Sequence, residues 1–435
     1  MKLIKKVLGA LMCLVFMVSA TGCSSVTNGK RIVRVATMQS ETHPEYLGLL
    51  KFKEYVEKEL GDKYEVQIFP NEILGAAQKA IELTQTGAID FTIVGTANLE
   101  TFASVYEIFS MPYLFTSEDA YHEVMNDTDY MNKIFSSTDE QGFRALTWYN
   151  AGTRNFYAKK EIDSPDDMKG LKIRVQQSPA SVAMCQAFGA AASPMSFGEV
   201  YTAIQQGVID GAENNELALT SNKHGEVAKY FSYNKHQMIP DLLIGNLSFL
   251  NGLSKEERKV FYKAAELSNE EECKQWDVQV KEAKKVAQEQ MGVKFIDVDV
   301  LAFQKKVKGV QESILKDNAQ AKPIYDHIQK VNKNTKARMV NNMEKLRNTI
   351  NTILGWACVF VFAVMVVVGT YQIVVRYFFN NPSTVSEELL TYSFTWMALL
   401  STALVFGKRD HMRMGFLADK VTGQKRKYWK SVLNY

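Results

Sequence analysis

The sequence predicts an α/β protein followed by two membrane-spanning helices, and two patterns support this fold class. The first pattern is an alternation of strand-like and helix-like segments that begins at residue 31. Strands are predicted over Ile32–Thr37, Tyr64–Phe69 and Asp90–Val94, and helices over Pro44–Leu60 and Gly75–Thr86. This βαβαβ order favours an α/β domain with a largely parallel sheet. The second pattern is a pair of uncharged segments near the C-terminus, each long enough to cross a bilayer as a helix.

A second α/β unit is predicted to begin near Gly152. Ser164 followed by Pro165 is typical of a helix start, and Gly170 is expected to end that short helix. An alternating strand follows, with Arg174 on its polar face and apolar residues on the other face. The unit therefore repeats the alternation of strands and helices seen at the start of the chain.

The rest of this unit contains further helices and strands. A capping box at Ser196–Glu199 predicts a helix start, with Phe197 on the apolar stripe of that helix. Residues 210–215 are expected to form a turn, because they combine Asp, Gly and Asn. Residues 237–250 predict a strand, and residues 254–291 predict a helix that is longer than usual for a globular protein.

Length, charge and cysteine content limit the possible functions. The chain has 435 residues, which is enough for two or three domains, and its net charge of +3 gives no reason to expect nucleic acid as a partner. The cysteines show no CxxC pair and no metal-ligand spacing. Cys185 and Cys273 fall in the predicted soluble part, and spacing alone leaves their pairing open.

Motifs for catalysis or cofactor binding are missing from the sequence. It contains no GxxxxGK[ST], HExxH or GxSxG, and its histidines are scattered along the chain. We therefore expect no enzyme activity, no cofactor and no metal site. An extracellular lyase or hydrolase would need an acid–base pair or a metal cluster, and the sequence indicates neither.

Residues 1–23 are predicted to be a lipoprotein signal peptide. A basic start is followed by an apolar core at residues 7–18 and by small residues. Cys23, directly after Gly22, resembles a bacterial lipobox, in which the cysteine is lipidated and inserted into membrane lipid. An ordinary cleaved signal with a chance cysteine is the alternative. Residues 24–30 would then be a short polar tether.

The composition becomes apolar after a basic linker at residues 332–348. Residues 349–375 and 389–406 carry no charge, so we expect membrane helices near 349–379 and 389–407 within a domain that covers residues 349–435. A buried pair of helices in a soluble protein is the alternative.

The residue types in the second unit suggest a site for a small anion. The guanidinium of Arg174 could bind a carboxylate with two parallel hydrogen bonds, although a solvated strand arginine is the alternative. Arg154, in a predicted turn, could add a second positive charge or cap a neighbour. Asn214 and Asn215 have amides that suit hydroxyls and carboxylates but are also common in turns. Phe197 could form a pocket wall or pack only against its own helix.

Several ordered motifs resemble the solute-binding proteins of tripartite ATP-independent periplasmic (TRAP) transporters, of the DctP type. The motifs are Ala151–Arg154, Met168–Val175, Pro194–Tyr201, Gln205–Gly207 and Asp210–Asn214, within a domain at residues 31–331. The resemblance implies two α/β lobes, of the type II-like periplasmic-binding-protein class, that close over a small organic acid.

The resemblance also implies roles for individual residues. Arg174 stands where the family holds the ligand carboxylate, and Asn214 stands where the family completes this clamp. Arg154 matches a second arginine that commonly faces the ligand, and Gln39 matches a polar ligand contact.

The C-terminal part resembles the small membrane subunit of the same transporters, of the DctQ type. The matching residues are Arg376–Pro382, Ser386–Leu389 and Lys408–Arg413. Because that subunit normally has four spanning helices, a partial small-subunit domain is expected. The implied partners are a large membrane subunit and a complete small subunit.

The charges next to the membrane helices conflict with export of the binding domain. Basic residues in the linker and in the tail after residue 407 both favour the cytoplasm, whereas the signal peptide places the linker outside. Two neighbouring genes joined in frame, with Met343 as the start of a separate subunit, would resolve the conflict. The alternatives are a true fusion with forced topology and cleavage within the linker.

These patterns together predict extracytoplasmic capture of a small organic acid for an ion-gradient-driven transporter, at the cell membrane. The Asn214–Asn215 pair and the segment Arg174–Pro179 are similar to family members that bind sugar acids such as hexuronates or aldonates. C4-dicarboxylates such as succinate, malate or fumarate are the first alternative. A carboxylate sensor that presents its ligand to a signalling receptor is the second.

Overall fold

A computed structural model describes residues 26, 27, 29–379 and 384–408. These residues fall into two compact units, of which the first ends at Lys333 and the second begins at Asn334. The predicted signal peptide with Cys23 lies outside the described residues, as do Asn380–Pro382 and the basic tail beyond residue 408. The two units are described separately.

The first unit contains two six-stranded sheets. The first sheet consists of β1 (Val26–Thr27), β2 (Lys30–Thr37), β3 (Tyr64–Phe69), β4 (Phe91–Gly95), β5 (Phe143–Tyr149) and β11 (Asp241–Asn246). The second sheet consists of β6 (Arg154–Ala158), β7 (Lys172–Val175), β8 (Ala191–Pro194), β9 (Gly211–Asn214), β10 (Tyr230–Gln237) and β12 (Lys294–Asp297). Each sheet is the centre of one lobe, so the predicted two-lobed α/β fold is confirmed.

Helices cover both sheets. The first lobe has α1 (Pro44–Leu60), α2 (Ala77–Thr86), α3 (Thr96–Leu99), α4 (Glu118–Met125) and α5 (Thr128–Phe135). The middle of the chain forms α6 (Pro179–Ala187), α7 (Val200–Gln205), α8 (Leu217–Ser221), α9 (His224–Val227) and α10 (Leu247–Gly252). The remaining helices are α11 (Lys255–Glu289), α12 (Val300–Lys306), α13 (Lys308–Asp317), α14 (Ala321–Phe378) and α15 (Thr384–Lys408). Short 3₁₀ helices cover Ser104–Ser110, Ser136–Gln141, Pro165–Met168 and Phe197–Glu199.

The βαβαβ start is confirmed, but the prediction of a largely parallel sheet is wrong. Strand β2 pairs in parallel with β3 and β4, as expected for two crossover connections. Strand β11, however, lies between β4 and β5 and is antiparallel to both. The difference arises because β11 enters the first sheet from the second lobe after only residues 238–240.

The chain passes between the lobes at points that place polar residues in the gap. It leaves the first sheet after Tyr149 and enters the second sheet at Arg154, which begins β6 rather than lying in a turn. It returns from Gln237 to Asp241. The predicted turn at residues 210–215 is mostly strand β9, which pairs with β6 and β7 at the middle of the second sheet.

Two other boundaries differ from the sequence prediction. The predicted strand at residues 237–250 ends at Asn246, because the Asn246 side chain accepts a hydrogen bond from the Phe249 amide and caps α10. The predicted tether at residues 24–30 is partly strand, since Val26 and Thr27 pair with the start of β2.

Helix α11 is unusually long, as predicted, and it contributes residues to the cores of both lobes. Its 35 residues cover about 50 Å at the rise of an α-helix. Phe261 packs in the first-lobe core with Phe52 and Phe91, whereas Ala287 packs in a second-lobe core. Between these positions Trp276 borders the gap between the lobes.

The second unit contains helices of the length and composition that can cross a membrane. Helix α14 continues through the predicted linker at residues 332–348, because that segment contains no proline or glycine to end it. Helix α15 begins at Thr384, earlier than the predicted residue 389. Large apolar side chains such as Trp356, Phe360 and Trp396 are exposed on these helices, as expected for surfaces that face lipid.

Candidate ligand-binding cleft

A cleft lies between the two sheets, and polar side chains from both lobes line it. All of the predicted ligand residues line it, namely Gln39, Arg154, Arg174, Phe197, Asn214 and Asn215. They come from the end of β2, from β6, β7 and β9, and from the start of the helix after β8. The structure therefore brings together residues that are separated by up to 176 positions in the sequence.

Arg174 is held at the cleft wall by a backbone carbonyl. Its Nε and Nη2 donate to the Met195 carbonyl at 3.1 and 2.9 Å, and its Cζ lies 5.5 Å from the centre of the Phe197 ring. Within the described residues, no other group bonds the guanidinium and no carboxylate lies within salt-bridge distance. Burial lowers the pKa of Arg174, but a guanidinium stays charged in proteins. A buried cation with unused N–H groups is therefore available to an anion.

Arg154 differs from Arg174 because it is already paired inside the protein. Its Nε donates to Glu213 Oε2 at 2.5 Å, and its Nη2 donates to Oε1 at 3.0 Å. Burial alone would raise the pKa of Glu213, but the ion pair with Arg154 and the nearby His236 imidazole, whose Nε2 lies 3.5 Å from Glu213 Oε2, lower it to about 2. Arg154 thus fixes Glu213 and the end of β9, and a ligand would have to compete with Glu213 for it.

The amide of Asn214 is oriented by two protein donors. Its Oδ1 accepts from Arg154 Nη1 at 3.2 Å and from the Asn215 amide at 2.8 Å. The Nδ2 group therefore remains as a donor at the cleft, where it suits a ligand oxygen. Asn215 also lines the cleft, but its amide bonds the Ala151 carbonyl and the Leu217 amide, both at 2.9 Å. Its side chain mainly holds the backbone between the lobes.

Gln39 and Phe197 form opposite walls of the cleft. Gln39 follows β2, and its Nε2 donates to Glu45 Oε1 at 3.3 Å. Phe197 lies within the predicted capping box, packs against His224 with a ring distance of 5.4 Å and contacts Arg174. Phe197 therefore serves both as a pocket wall and as part of the second-lobe core.

Sequence analysis missed two carboxyl groups on the first-lobe side of the cleft. Glu45 in α1 is 1% exposed, and Asp241 at the start of β11 is 7% exposed. Burial, followed by the nearby Asp241, raises the pKa of Glu45 well above its usual value. Burial also raises the pKa of Asp241, and Arg154 partly opposes this effect.

One of these residues left a signal in the sequence. Glu45 lies on the same helical stripe as Leu49, Phe52 and Val56, and a charged residue on an otherwise buried face indicates a site. Asp241 begins the apolar strand DLLIGN after Pro240, which has no equally clear signal. Its place depends on the return of the chain from the second lobe.

Comparison with known proteins explains this two-lobed architecture. Residues 35–318 match the family model described as bacterial extracellular solute-binding protein, family 7, also named DctP. The chain belongs to this family. It is 37% identical over 307 residues to the uncharacterized protein YiiZ of Salmonella typhimurium, an alignment that covers 70% of this chain and 93% of the relative.

Solved structures of TRAP periplasmic solute-binding proteins resemble this DctP-family chain. A protein from Anaerococcus prevotii with bound D-glucuronate is 52% identical, with a TM-score of 0.69, over 70% of this chain and 99% of that protein. A protein from Sulfitobacter with bound β-D-galacturonate is 30% identical, with a TM-score of 0.65, over 68% of this chain and 98% of that protein. The match covers the two lobes.

The C-terminal part matches a second component of the same transporters. Residues 365–435 match the model for the DctQ component of tripartite ATP-independent periplasmic transporters. The chain thus joins a DctP-type solute-binding domain to a DctQ-type domain. An extracellular solute-binding domain joined to two apolar helices indicates a membrane-anchored chain whose binding domain lies outside.

Proposed function

We propose that this chain captures a hexuronate outside the cell and delivers it to a TRAP transporter. The observation that carries the proposal is the arginine of the second lobe, Arg174. It is 4% exposed, faces the cleft and keeps N–H groups that no described residue bonds. A ligand carboxylate that accepts from this guanidinium would form charge-assisted hydrogen bonds worth about 1.5–3 kcal/mol each.

The rest of the cleft favours a ligand with many hydroxyl groups. Amide and carboxyl side chains at Gln39, Glu45, Asn98, Gln176 and Asn214 line it. Such groups donate to hydroxyls and accept from them, whereas an aliphatic acid would leave most of them unpaired. The similarity to proteins with bound D-glucuronate and β-D-galacturonate supports the same ligand class.

Binding would favour the closed arrangement of the lobes, because Arg174 and Glu45 contact the cleft from different lobes. A ligand shifts such an equilibrium by its difference in affinity for the two states. The closed form would then dock on a large membrane subunit and a complete small subunit, and an ion gradient would drive transport. The chain would bind and release its ligand without chemical change.

The chain would be anchored by its lipidated N-terminus and by the helices α14 and α15. Lipidation of Cys23 is the finer part of this proposal, and Cys23→Ser tests it in cells. Loss of lipid labelling in the variant is the expected result. If the intact Cys23→Ser chain is still found in the membrane, α14 and α15 anchor it as part of the same polypeptide. A separate membrane fragment that begins near Met343 would instead support two joined genes.

The ligand class is tested by thermal-shift measurements on the full-length chain in detergent, with calorimetry of every acid that stabilises it. D-Glucuronate and D-galacturonate are expected to raise the melting temperature. Stabilisation by succinate, malate or fumarate alone would change the substrate to a C4-dicarboxylate and keep the capture mechanism. No shift with any of these acids would contradict the proposed function.

A further inference from the structure

Glu45 and Asp241 form an unusual feature of the cleft, because they are two buried carboxyl groups that line its first-lobe side. Both side chains are almost completely buried, and the nearby Asp241 adds to burial in raising the pKa of Glu45. Glu45 Oε1 accepts from Gln39 Nε2 at 3.3 Å, and its Oε2 accepts from Thr37 Oγ1 at 3.4 Å. Within the described residues, neither carboxyl group has a lysine or arginine at salt-bridge distance.

The nearest imidazole does not neutralise this pair. His43 Nδ1 lies 3.8 Å from Glu45 Oε1, but it accepts a hydrogen bond from the Glu45 amide at 3.3 Å. Nδ1 therefore carries no proton, and burial lowers the pKa of His43 to about 3. Two neighbouring buried carboxyl groups without a cation at salt-bridge distance cannot both ionise easily, so they tend to retain a proton between them.

A second observation at the same place is an unpaired amide oxygen. Gln176 Oε1 is buried without a hydrogen-bond partner among the described residues, and Gln176 is 7% exposed. The Gln176 and Asp241 side chains meet over Gly95. A Cβ at Gly95 would lie 3.1 Å from Gln176 Nε2 and 2.8 Å from Asp241 Oδ1. An acceptor that lacks a partner in a cleft indicates that a ligand donor belongs there.

We propose that Glu45, Asp241 and Gln176 form a hydroxyl-binding subsite whose carboxyl pair holds one proton, which selects monocarboxylic sugar acids against dicarboxylic acids. The inference rests on the proposed function, because Arg174 must hold the ligand carboxylate on the other lobe. A hydroxyl can donate to Gln176 Oε1 and accept from the protonated carboxyl group. A second carboxylate can only accept, and its charge would repel the pair.

The position of Arg174 supports this division of the cleft. The carboxylates that act on its pKa are Glu213 and Glu72, both different from the Glu45–Asp241 pair. One wall therefore supplies a cation for an anionic group, and the other supplies neutral or acidic oxygens for hydroxyls. A ligand with a carboxylate at only one end matches both walls.

The shared proton makes ligand affinity depend on pH. The titratable groups near the pair are His43 directly before α1, Tyr121 on α4, Tyr149 on β5, Arg154 on β6 and Glu272 on α11. Arg154 favours ionisation of Asp241, whereas Glu272 raises the pKa of Glu45. As pH rises, the pair loses its proton, and the added negative charge lowers the affinity for an anionic ligand.

The test is calorimetry of the full-length chain in detergent with D-glucuronate and D-glucarate, which carries a carboxylate at both ends. The unaltered chain is expected to bind D-glucuronate about 100-fold more tightly than D-glucarate. The reason is that the second carboxylate of D-glucarate would lie beside Glu45 and Asp241 without a cation. Glu45→Gln and Asp241→Asn remove the possible second charge. They are expected to reduce the preference to about tenfold or less and to weaken the pH dependence.

Glu100→Gln is the matched control, because Glu100 is also buried, has a pKa raised to about 8 by burial, and does not line the cleft. It should keep both the preference for D-glucuronate over D-glucarate and the pH dependence of the affinity.

The subsite would be overturned, and the proposed function left intact, if Glu45→Gln and Asp241→Asn still bind D-glucuronate with an unchanged preference and an unchanged pH dependence. If these variants do not fold, a flat pH profile of the unaltered chain overturns it. Failure of the unaltered chain to bind any hexuronate overturns the proposed function and the subsite together.

Discussion

Arg154 forms a two-pronged ion pair with Glu213, with Nε 2.5 Å from Oε2 and Nη2 3.0 Å from Oε1. Both side chains are almost fully buried at the end of the cleft. This pairing separates the roles of the two arginines. Arg154 links β6 to β9, whereas Arg174 lines the cleft with N–H groups that no described residue bonds.

The first prediction concerns stability. Arg154→Gln should lower the free energy of unfolding by about 3–5 kcal/mol, because Glu213 would remain buried without its cation. Thermal unfolding of the ligand-free chain measures the effect. Glu213→Gln in the same chain should restore part of the loss, since it removes the uncompensated charge. An Arg154→Gln chain that melts at the wild-type temperature would show that the ion pair does not stabilise the fold.

The second prediction separates Asn214 from Asn215. Asn214→Asp keeps an oxygen for Arg154 and for the Asn215 amide but replaces the Nδ2 donor with a negative oxygen. It should therefore weaken hexuronate binding more than Asn214→Ala does, because Asn214→Ala removes only a neutral hydrogen bond worth about 1 kcal/mol of binding free energy. Asn215→Ala should mainly lower the melting temperature, because it removes bonds to Ala151 and Leu217. The assignment would be contradicted if calorimetry showed the larger loss of hexuronate affinity in Asn215→Ala and thermal unfolding showed the larger loss of stability in the Asn214 variants.

The third prediction concerns a contact across the cleft. Glu72, in the loop after β3, has a φ of 56° and accepts from the Gly198 amide of the second lobe at 3.3 Å. This bond exists only when the lobes are close. Glu72→Ala should lower hexuronate affinity severalfold, because the closed state loses a bond of about 1 kcal/mol. Small-angle scattering should show a larger open fraction, and an unchanged scattering profile would argue against a closing role.

The fourth prediction concerns pH. Burial raises the pKa of Glu100 and of Glu272 to about 8, whereas an unfolded glutamate titrates near 4.3. The stability that these two raised pKa values give to the fold is fully present below the unfolded pKa. It is lost as pH rises through the folded pKa, because the buried carboxyl groups must then ionise. The melting temperature of the ligand-free chain should therefore fall between about pH 5 and about pH 8. Glu100→Gln should reduce this slope, and a melting temperature that rises over the same range would contradict the assignment.

Glu213 should act in the other direction at low pH. Its folded pKa of about 2 lies below the unfolded value, so its ion pair stabilises the fold above about pH 4 and is lost as pH falls toward 2. Between about pH 4 and pH 2, the free energy of unfolding should fall more steeply with decreasing pH in the unaltered chain than in the Arg154→Gln, Glu213→Gln double variant.

Local patterns were sufficient for most elements of the fold. The strand Tyr64–Phe69 and the helix Pro44–Leu60 have the predicted bounds, because alternation and caps are encoded within the segments themselves. Arg174 and Asn214 were predicted as ligand contacts and both line the cleft, although periodicity alone favoured a solvated arginine at position 174. Resemblance to the DctP family supplied the roles that spacing could not.

The sequence was insufficient where distant segments meet. Asp241 reaches the cleft because β11 returns to the first sheet, and no local pattern reports that return. The segment Gly211–Asn214 has turn-forming residues but becomes a central strand, because neighbouring strands pair with it on both sides. Tertiary pairing therefore overrode the local preference.

Calorimetric titration of D-glucuronate into the full-length chain, into Arg174→Ala and into Arg174→Lys tests the central claim most directly. We expect binding to the unaltered chain, a loss of about 3 kcal/mol or more in Arg174→Ala, and partial recovery in Arg174→Lys, which restores the charge without the planar fork. Equal affinity of Arg174→Ala and the unaltered chain, with both chains folded, would contradict the account.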